Sequence, residues 1–419
     1  MQSATGDQSN KIFTPQTTAL FAMGFLAYIG MGIVAPALKT LQDSFEVSST
    51  EIGLFVASFG LARLVCDLPV GMYIDRINRT VLLLAGLIGL SLGAVIAGSA
   101  PTDNFLMLVI GRFVMGAGSS FLNMTALVHL TQVTNRDVRG RVVGVYQTFD
   151  LAGNFLSPAI GGIITAWWSW HYAFYFCALT TFLAAILVLA TRGTRQERPV
   201  TPESRPGLRT IFGSPRNSES LISSWGILAL NYASFTMFVS GQGFMTTVVP
   251  MFGGAALKLG PEVIGGALAV GTGVRVVANL VGAAVSDRFG RLFVLIPALL
   301  MLGSASLGLN LVTDLTGYTL MIFFTGFGRI GNSIPPIMLA DLLGPTRLGP
   351  AIGQNRFLGD IGIMLGPLVM GWIIDSYGFG GTTFVTAGLL WSGAVAVLAT
   401  IREPAQRGAS GSPSQGTLH

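Results

Sequence analysis

LARLVCDLPVGMYIDRINR (61–79) and VRVVANLVGAAVSDRFGR (274–291) are two versions of one pattern, and their agreement divides the chain into related halves. Asp75 and Asp287 align in a short charged turn, and twelve residues upstream of each stands an arginine, Arg63 or Arg275. Eight residues upstream the pair is Asp67 and Asn279. Further along each half comes a Gly-Arg, at Gly111-Arg112 and Gly328-Arg329. A proline set among glycines follows, GNFLSPAIGG (153–162) against GIMLGPLVMG (362–371). Agreement in both order and spacing marks a parallel internal repeat.

Each repeat is strung on apolar stretches of membrane-crossing length. They fall near 17–38, 51–73, 80–100, 105–130, 141–166 and 171–191, and again near 221–248, 262–286, 292–312, 318–343, 350–374 and 382–401. The 419-residue chain is 51% hydrophobic and 10% charged, whereas soluble domains carry about a quarter charged residues. Lipid is therefore the solvent for most of its surface. The 55 glycines would weaken helices in water, but in a membrane bundle small residues let backbones approach closely. The expected fold is an all-α membrane protein with twelve transmembrane helices in two pseudo-symmetric six-helix bundles. Residues 1–16 form an N-terminal segment, 17–191 the first bundle, 192–220 a linker, 221–401 the second bundle and 402–419 a disordered tail. The linker stretch TRGTRQERPVTPESRPGLRTIFGSPRNSES (191–220) is rich in Arg, Pro and Ser without apolar periodicity.

The net charge of +5 invites a nucleic-acid partner, but its distribution excludes one. Most Lys and Arg residues fall in alternate loops, the linker and the termini, which is the positive-inside asymmetry of a polytopic protein. It puts both termini and the linker in the cytoplasm, and the loops near Lys39 and Lys258 outside. A multi-pass protein of the plasma membrane is expected, and the short outer loops fit a bacterial inner membrane. Cys66 and Cys177 both lie in apolar spans, so neither a disulfide framework nor a metal cluster is indicated, and no cofactor is expected. The first apolar run lacks an A-x-A-like cleavage site and reads as a retained helix.

Ionisable groups within a bilayer are costly, so those present are functional candidates. Asp67 and Asp360 each have an arginine one turn away, Arg63 and Arg356, and serve either as buried structural pairs or as proton carriers. Asp150 sits two turns before Pro158 in a glycine-rich helix, with Asn154 one turn on. Burial in low dielectric favours the protonated form of an acid, which makes Asp150, Asp67 and Asp360 the proton-coupling candidates. Polar residues facing a cavity between the halves are Tyr28, Arg112, Asn123 and Asn154 from the first half and Asn231, Gln242 and Asn332 from the second. Each serves equally well as an interhelical hydrogen bond.

GMYIDRINR (71–79) resembles the loop signature G-x-x-x-D-R-x-G-R of the major facilitator superfamily, with Gly71, Asp75, Arg76 and Arg79 in place and Asn78 where glycine is usual. Asn accepts positive φ better than most residues, so the same tight turn is expected. The second copy, SDRFGR, restores the glycine at Gly290. VIGRFVMGAG (109–118) resembles the fourth-helix arginine motif, WSWHYAFYF (168–176) the start of the sixth helix, and GNFLSPAIGG the fifth-helix motif of the drug:proton antiporter group, with Ser157 in place of its second glycine.

This resemblance covers nearly all of 17–401 and implies a transporter working by alternating access. Gly71, Asp75, Arg76, Arg79, Asp287, Arg288 and Arg291 are then a conformational latch at the cytoplasmic helix ends, or else charges that only fix topology. Pro158, Gly161 and Gly162 supply the bend and close packing of the fifth helix. The first helix, TTALFAMGFLAYIGMGIVAPAL (17–38), has no acid, unlike several proton-coupled exporters of this type. The leading expectation is proton-coupled efflux of a small amphipathic organic compound. The alternative is a proton symporter importing a polar or anionic metabolite. The partners are that substrate, protons and the lipid bilayer, and the chain is expected to act as a monomer. No G-x-x-x-x-G-K-[ST], H-E-x-x-H or G-x-S-x-G occurs, so neither direct ATP use nor an enzyme is indicated.

Overall fold

Helix starts are set by local polar caps. Thr14 accepts from the backbone N–H of Thr17 ahead of Pro15, and Ser48 and Glu51 form a reciprocal capping box. Asn104 and Asp314 cap two later helices in the same way. The computed structural model describes residues 12–74, 77–134, 138–190, 221–343 and 345–401. Asp75, Arg76, the linker 192–220 and the tail 402–419 lie outside them.

Among the described residues twelve helices follow one another, six in each half. In the first half they are α1 (Pro15–Phe45), α2 (Ser49–Tyr73), α3 (Arg79–Gly98), α4 (Phe105–Val133), α5 (Arg139–Trp167) and α6 (Trp170–Ala190). In the second half α7 covers 221–255, followed by α8 (Pro261–Phe289) and α9 (Arg291–Leu311), then α10 at 315–342, α11 at 345–377 and α12 at 379–400. All helices but α5, α7 and α10 fall within stretches long and apolar enough to cross a membrane on length and composition alone. α5 carries Arg139, Arg141 and Asp150, and α7 and α10 are interrupted.

Large apolar side chains such as Leu92, Trp167, Phe182, Leu280, Phe323 and Leu398 stand exposed on the outer faces. A water-soluble monomer rarely leaves so much contiguous apolar surface uncovered. The first half has one core, which includes Leu38, Leu83, Leu87 and Phe174. The second has two, one around Leu230, Leu295 and Leu299 toward the linker end, the other around Phe244, Val248 and Tyr318 toward the opposite, far end. Met251 of α7 packs into the first half's core and ties the halves together at the far end.

Two turns depart from the sequence expectation. Asn78 has φ −54°, not a positive value, and its side chain accepts hydrogen bonds from the N–H groups of Thr80 and Val81. Asparagine therefore replaces glycine as a helix cap rather than as a left-handed residue. Gly290 in the second copy does need glycine, with φ +102°. Between α11 and α12 a loop is expected over 375–381, yet the chain turns on Gly378 alone, at φ +71° with open space around it.

Candidate functional site

Three helices lose regular α-geometry near their middles. In α1 a tight turn at Gly32–Ala37 contains Pro36, in α7 the backbone widens to a π-helix over Ser240–Val248, and in α10 Arg329–Ser333 tightens again just before Pro335. Irregular backbone at membrane depth is tolerated where it lines a cavity or is buried in protein. All three breaks border the same cavity of about 250 Å³, through Gly32, Gln242 and Arg329. α2, α4, α5, α8 and α11 complete its wall, so both halves contribute.

The halves meet closely at the far end. Side chains at Gly53 and Gly371 would collide with the backbone of Pro367 and Ser49, and at Gly162 and Gly265 with that of Pro261 and Pro158. These pair α2 with α11 and α5 with α8. The Asp375 carboxylate of α11 accepts from the N–H of Ser49 at 3.0 Å, the N–H of Thr50 at 2.7 Å and the Thr50 hydroxyl at 2.6 Å, capping the start of α2 from the opposite half. Toward the linker end, Gly140 and Gly144 of α5 and Gly353 of α11 have open space around them. Among the described glycines, those in backbone contact with the opposite half, Gly53, Gly60, Gly162, Gly265 and Gly371, lie from the far end to the level of the cavity and none lies on its linker side, so the cavity is closed at the far end and opens toward the linker end.

Five of the seven residues singled out for the cavity line it: Tyr28, Arg112, Asn123, Asn154 and Gln242. Tyr28 donates to the Asn123 side chain at 2.7 Å, and Asn123 donates to Ser119 at 3.2 Å, linking α1 to α4. Asn231 does not reach the cavity. It is fully buried and accepts from Asn355 at 3.0 Å, and Asn355 also donates to Ser234, so it bonds α7 to α11. Asn332 is also off the cavity wall, its carbonyl oxygen buried without a partner among the described residues.

The charged pairs are exchanged relative to helical spacing. Arg63 bonds Asp360 at 3.2 Å and Arg356 approaches Asp67 at 3.7 Å, each pair joining α2 of one half to α11 of the other. The spacing of Arg63 with Asp67, and of Arg356 with Asp360, fits pairs within a helix, but the four side chains meet at the α2–α11 seam, where a partner across the seam is closer. Ser120 of α4 also donates to Asp67. Asp150 has no such cation among the described residues. Its carboxylate lies over Gly24 of α1 beside the Tyr146 ring, and one oxygen is buried without a partner among the described residues. The acid missing from α1 is thus delivered against α1 by α5, and Gly24 makes the room.

Near the linker end Arg291 binds Asp287 and, at 3.1 Å, Asp341 at the end of α10, all within the second half. Gly161 abuts Ile33 of α1, and Pro158 joins the cavity wall. Arg63, Arg275 and Arg329 line the cavity together with Arg112. The sequence reading did not place these three there, yet the repeat pairs Arg63 with Arg275 and Arg112 with Arg329, and two symmetric pairs in a two-fold bundle converge on its axis.

Two six-helix bundles around a central, one-sided cavity define a membrane transporter rather than a channel or an enzyme scaffold. The sequence profile of the Major Facilitator Superfamily matches residues 20–315 and 248–417, and the chain belongs to that family. It is 28% identical over 373 residues to Multidrug resistance protein 1 of Bacillus subtilis, covering 85% of this chain and 89% of that protein. It is 24% identical to the Hexuronate transporter of the same organism, covering 93% and 94%. The fold matches the crystal structure of a nucleoside transporter with a TM-score of 0.73 at 13% identity, over 92% of this chain and all of the other.

Proposed function

We propose that this protein is a secondary transporter that moves a small organic molecule by alternating access, with protons as the coupling ion. The observation that carries this reading is the cavity itself, walled by both halves, open at one end and closed at the other. Rocking of the halves about the α2–α11 and α5–α8 seams would close the linker end and open the far end. Positive-inside asymmetry supports an orientation in a plasma membrane with the linker end toward the cytoplasm. The protein then works as a monomer, since one chain supplies the entire cavity wall.

Asp150 is the coupling acid in this scheme. It is half-buried, has no cation partner among the described residues, and sits between α5 and α1, so a proton on its carboxylate changes the contact between them. Asp67 and Asp360 instead hold the α2–α11 seam through their arginines. Efflux by antiport is the leading direction, supported by the fifth-helix motif and by similarity to Multidrug resistance protein 1 over most of both chains. Symport of an acidic metabolite is the second reading, favoured by the four arginines on the cavity wall.

The test is proton flux in proteoliposomes under an imposed pH gradient, with organic cations, neutral compounds and carboxylates added in turn. The reading expects one class to collapse the gradient, in the antiport direction for efflux, and Asp150→Asn to abolish that collapse. Transport with unaltered pH dependence in Asp150→Asn would remove Asp150 from the coupling role.

A further inference from the structure

We propose that the substrate is an organic oxyanion, a carboxylate, sulfonate or phosphate on a small apolar body, held by Arg275 and Arg329 with Arg112 facing them from the other half. This rests on the transporter reading above and holds for either direction of transport. Four guanidinium groups reach the cavity wall, and among the described residues only Arg63 has a carboxylate partner there. Arg112 is 8% exposed, lies 4.6 Å over the Phe59 ring, and keeps two of its nitrogens without a hydrogen-bond partner among the described residues. Arg275 has a buried nitrogen in the same state. Arg275 of α8 and Arg329 of α10 line the same cavity.

The repeat shows how this excess arises. In the first half Arg63 has Asp67 one turn on and Asp360 across the seam. In the second half the position matching Asp67 is Asn279, and the glycine–proline motif superposes Asp360 on Leu151. The carboxylate that pairs with Arg63 and the acid one turn on from it are thus both replaced at Arg275, while the arginine is kept. An unpaired guanidinium away from water is strongly unfavourable, and two close together more so. An oxyanion supplies the missing acceptors through charge-assisted, bidentate bonds. The same field repels cationic ligands, so it sets specificity as well as affinity.

Room for this arrangement is built into α7. A side chain at Gly241 would overlap the Arg329 guanidinium, so glycine there lets it lie against the π-helical segment. Gln242, Thr246 and Thr272 offer polar contacts beside the arginines, while Met31, Val56 and Leu268 provide an apolar wall. A compact aromatic or aliphatic acid fits a cavity of about 250 Å³.

The experiment is equilibrium binding to the purified full chain in lipid nanodiscs, using benzenesulfonate, benzylammonium and benzyl alcohol as matched anionic, cationic and neutral probes. Benzenesulfonate should bind at least about tenfold more tightly than benzylammonium, and Arg275→Gln or Arg329→Gln should weaken it by about tenfold or more without changing benzyl alcohol binding. Arg329→Lys should retain part of the affinity. Equal or tighter binding of benzylammonium, no detectable benzenesulfonate binding at millimolar concentration, or unchanged benzenesulfonate binding in both Gln variants overturns the proposal. If a Gln variant fails to fold, the wild-type comparison of the three probes decides. Benzenesulfonate binding without movement under a pH gradient upholds the anion site and removes the proton-coupled reading instead.

Discussion

Gly24 and Asp150 show how one missing side chain positions a charge. The Asp150 carboxylate occupies the space where a Cβ on Gly24 would stand, beside Tyr146. Gly24→Ala should therefore push the carboxylate out and cost about 1–3 kcal/mol of stability through overpacking, read as a lower unfolding temperature, with weakened proton coupling in liposomes. The Arg63–Asp360 pair makes a different demand, since removing one member leaves the other as a buried, uncompensated charge. Arg63→Ala should cost about 3–5 kcal/mol, and the exchange Arg63→Asp with Asp360→Arg should recover most of it in thermal unfolding. Failure of the double exchange to recover any stability would show that the pair is not held by charge. Asp150, Arg63 and Asp360 were all visible in the sequence as rare intramembrane charges. Their partners were not, because helical spacing offers an i, i+4 neighbour while the α2–α11 seam supplies a closer one from the other half.

Hydropathy locates helices but not the places where they break. The spans near 17–38 and 318–343 read as continuous, yet α1 and α10 both tighten in mid-membrane, and α7 widens over Ser240–Val248. Only the prolines and glycines hinted at this, and many prolines elsewhere, Pro69 and Pro297 among them, sit inside regular helices. Which proline breaks a helix depends on whether neighbouring helices fill the space behind it, and that is a tertiary fact. The α5–α8 seam was more legible, since GNFLSPAIGG announces close packing. Its partner residues, Pro261 and Gly265, carried no comparable motif. Gly265→Ala should wedge α8 away from Pro158 and open the far end, costing about 1–3 kcal/mol in the closed form. Labelling of a cysteine introduced at Glu262 should then speed up, and an unchanged labelling rate would show that the seam tolerates the extra methyl group.

At the scale of the whole molecule, the division into halves was legible from the repeat, whereas of the four arginines that the repeat brings to the axis only Arg112 was legible as a cavity residue. Which end stands open was not, because either state buries the same apolar stripes, and only contacts such as the Asp375 cap on α2 distinguish them. That cap crosses between halves and is available only while the far end is closed. Asp375→Ala should weaken it by about 1 kcal/mol, shifting the balance of the two states by about fivefold toward far-end opening, read as faster modification of a cysteine at Glu262. The central claim is that the two ends open in alternation. It is tested most directly by electron-resonance distances in liposomes, after Cys66 and Cys177 are replaced by Ser, between labels at Thr50 and Tyr377 on the far end and at Gly140 and Gly353 on the linker end. The account predicts a second population, enriched by a change of pH, in which the far-end distance lengthens while the linker-end distance shortens. Distances that stay fixed, or that lengthen together at both ends, would contradict it.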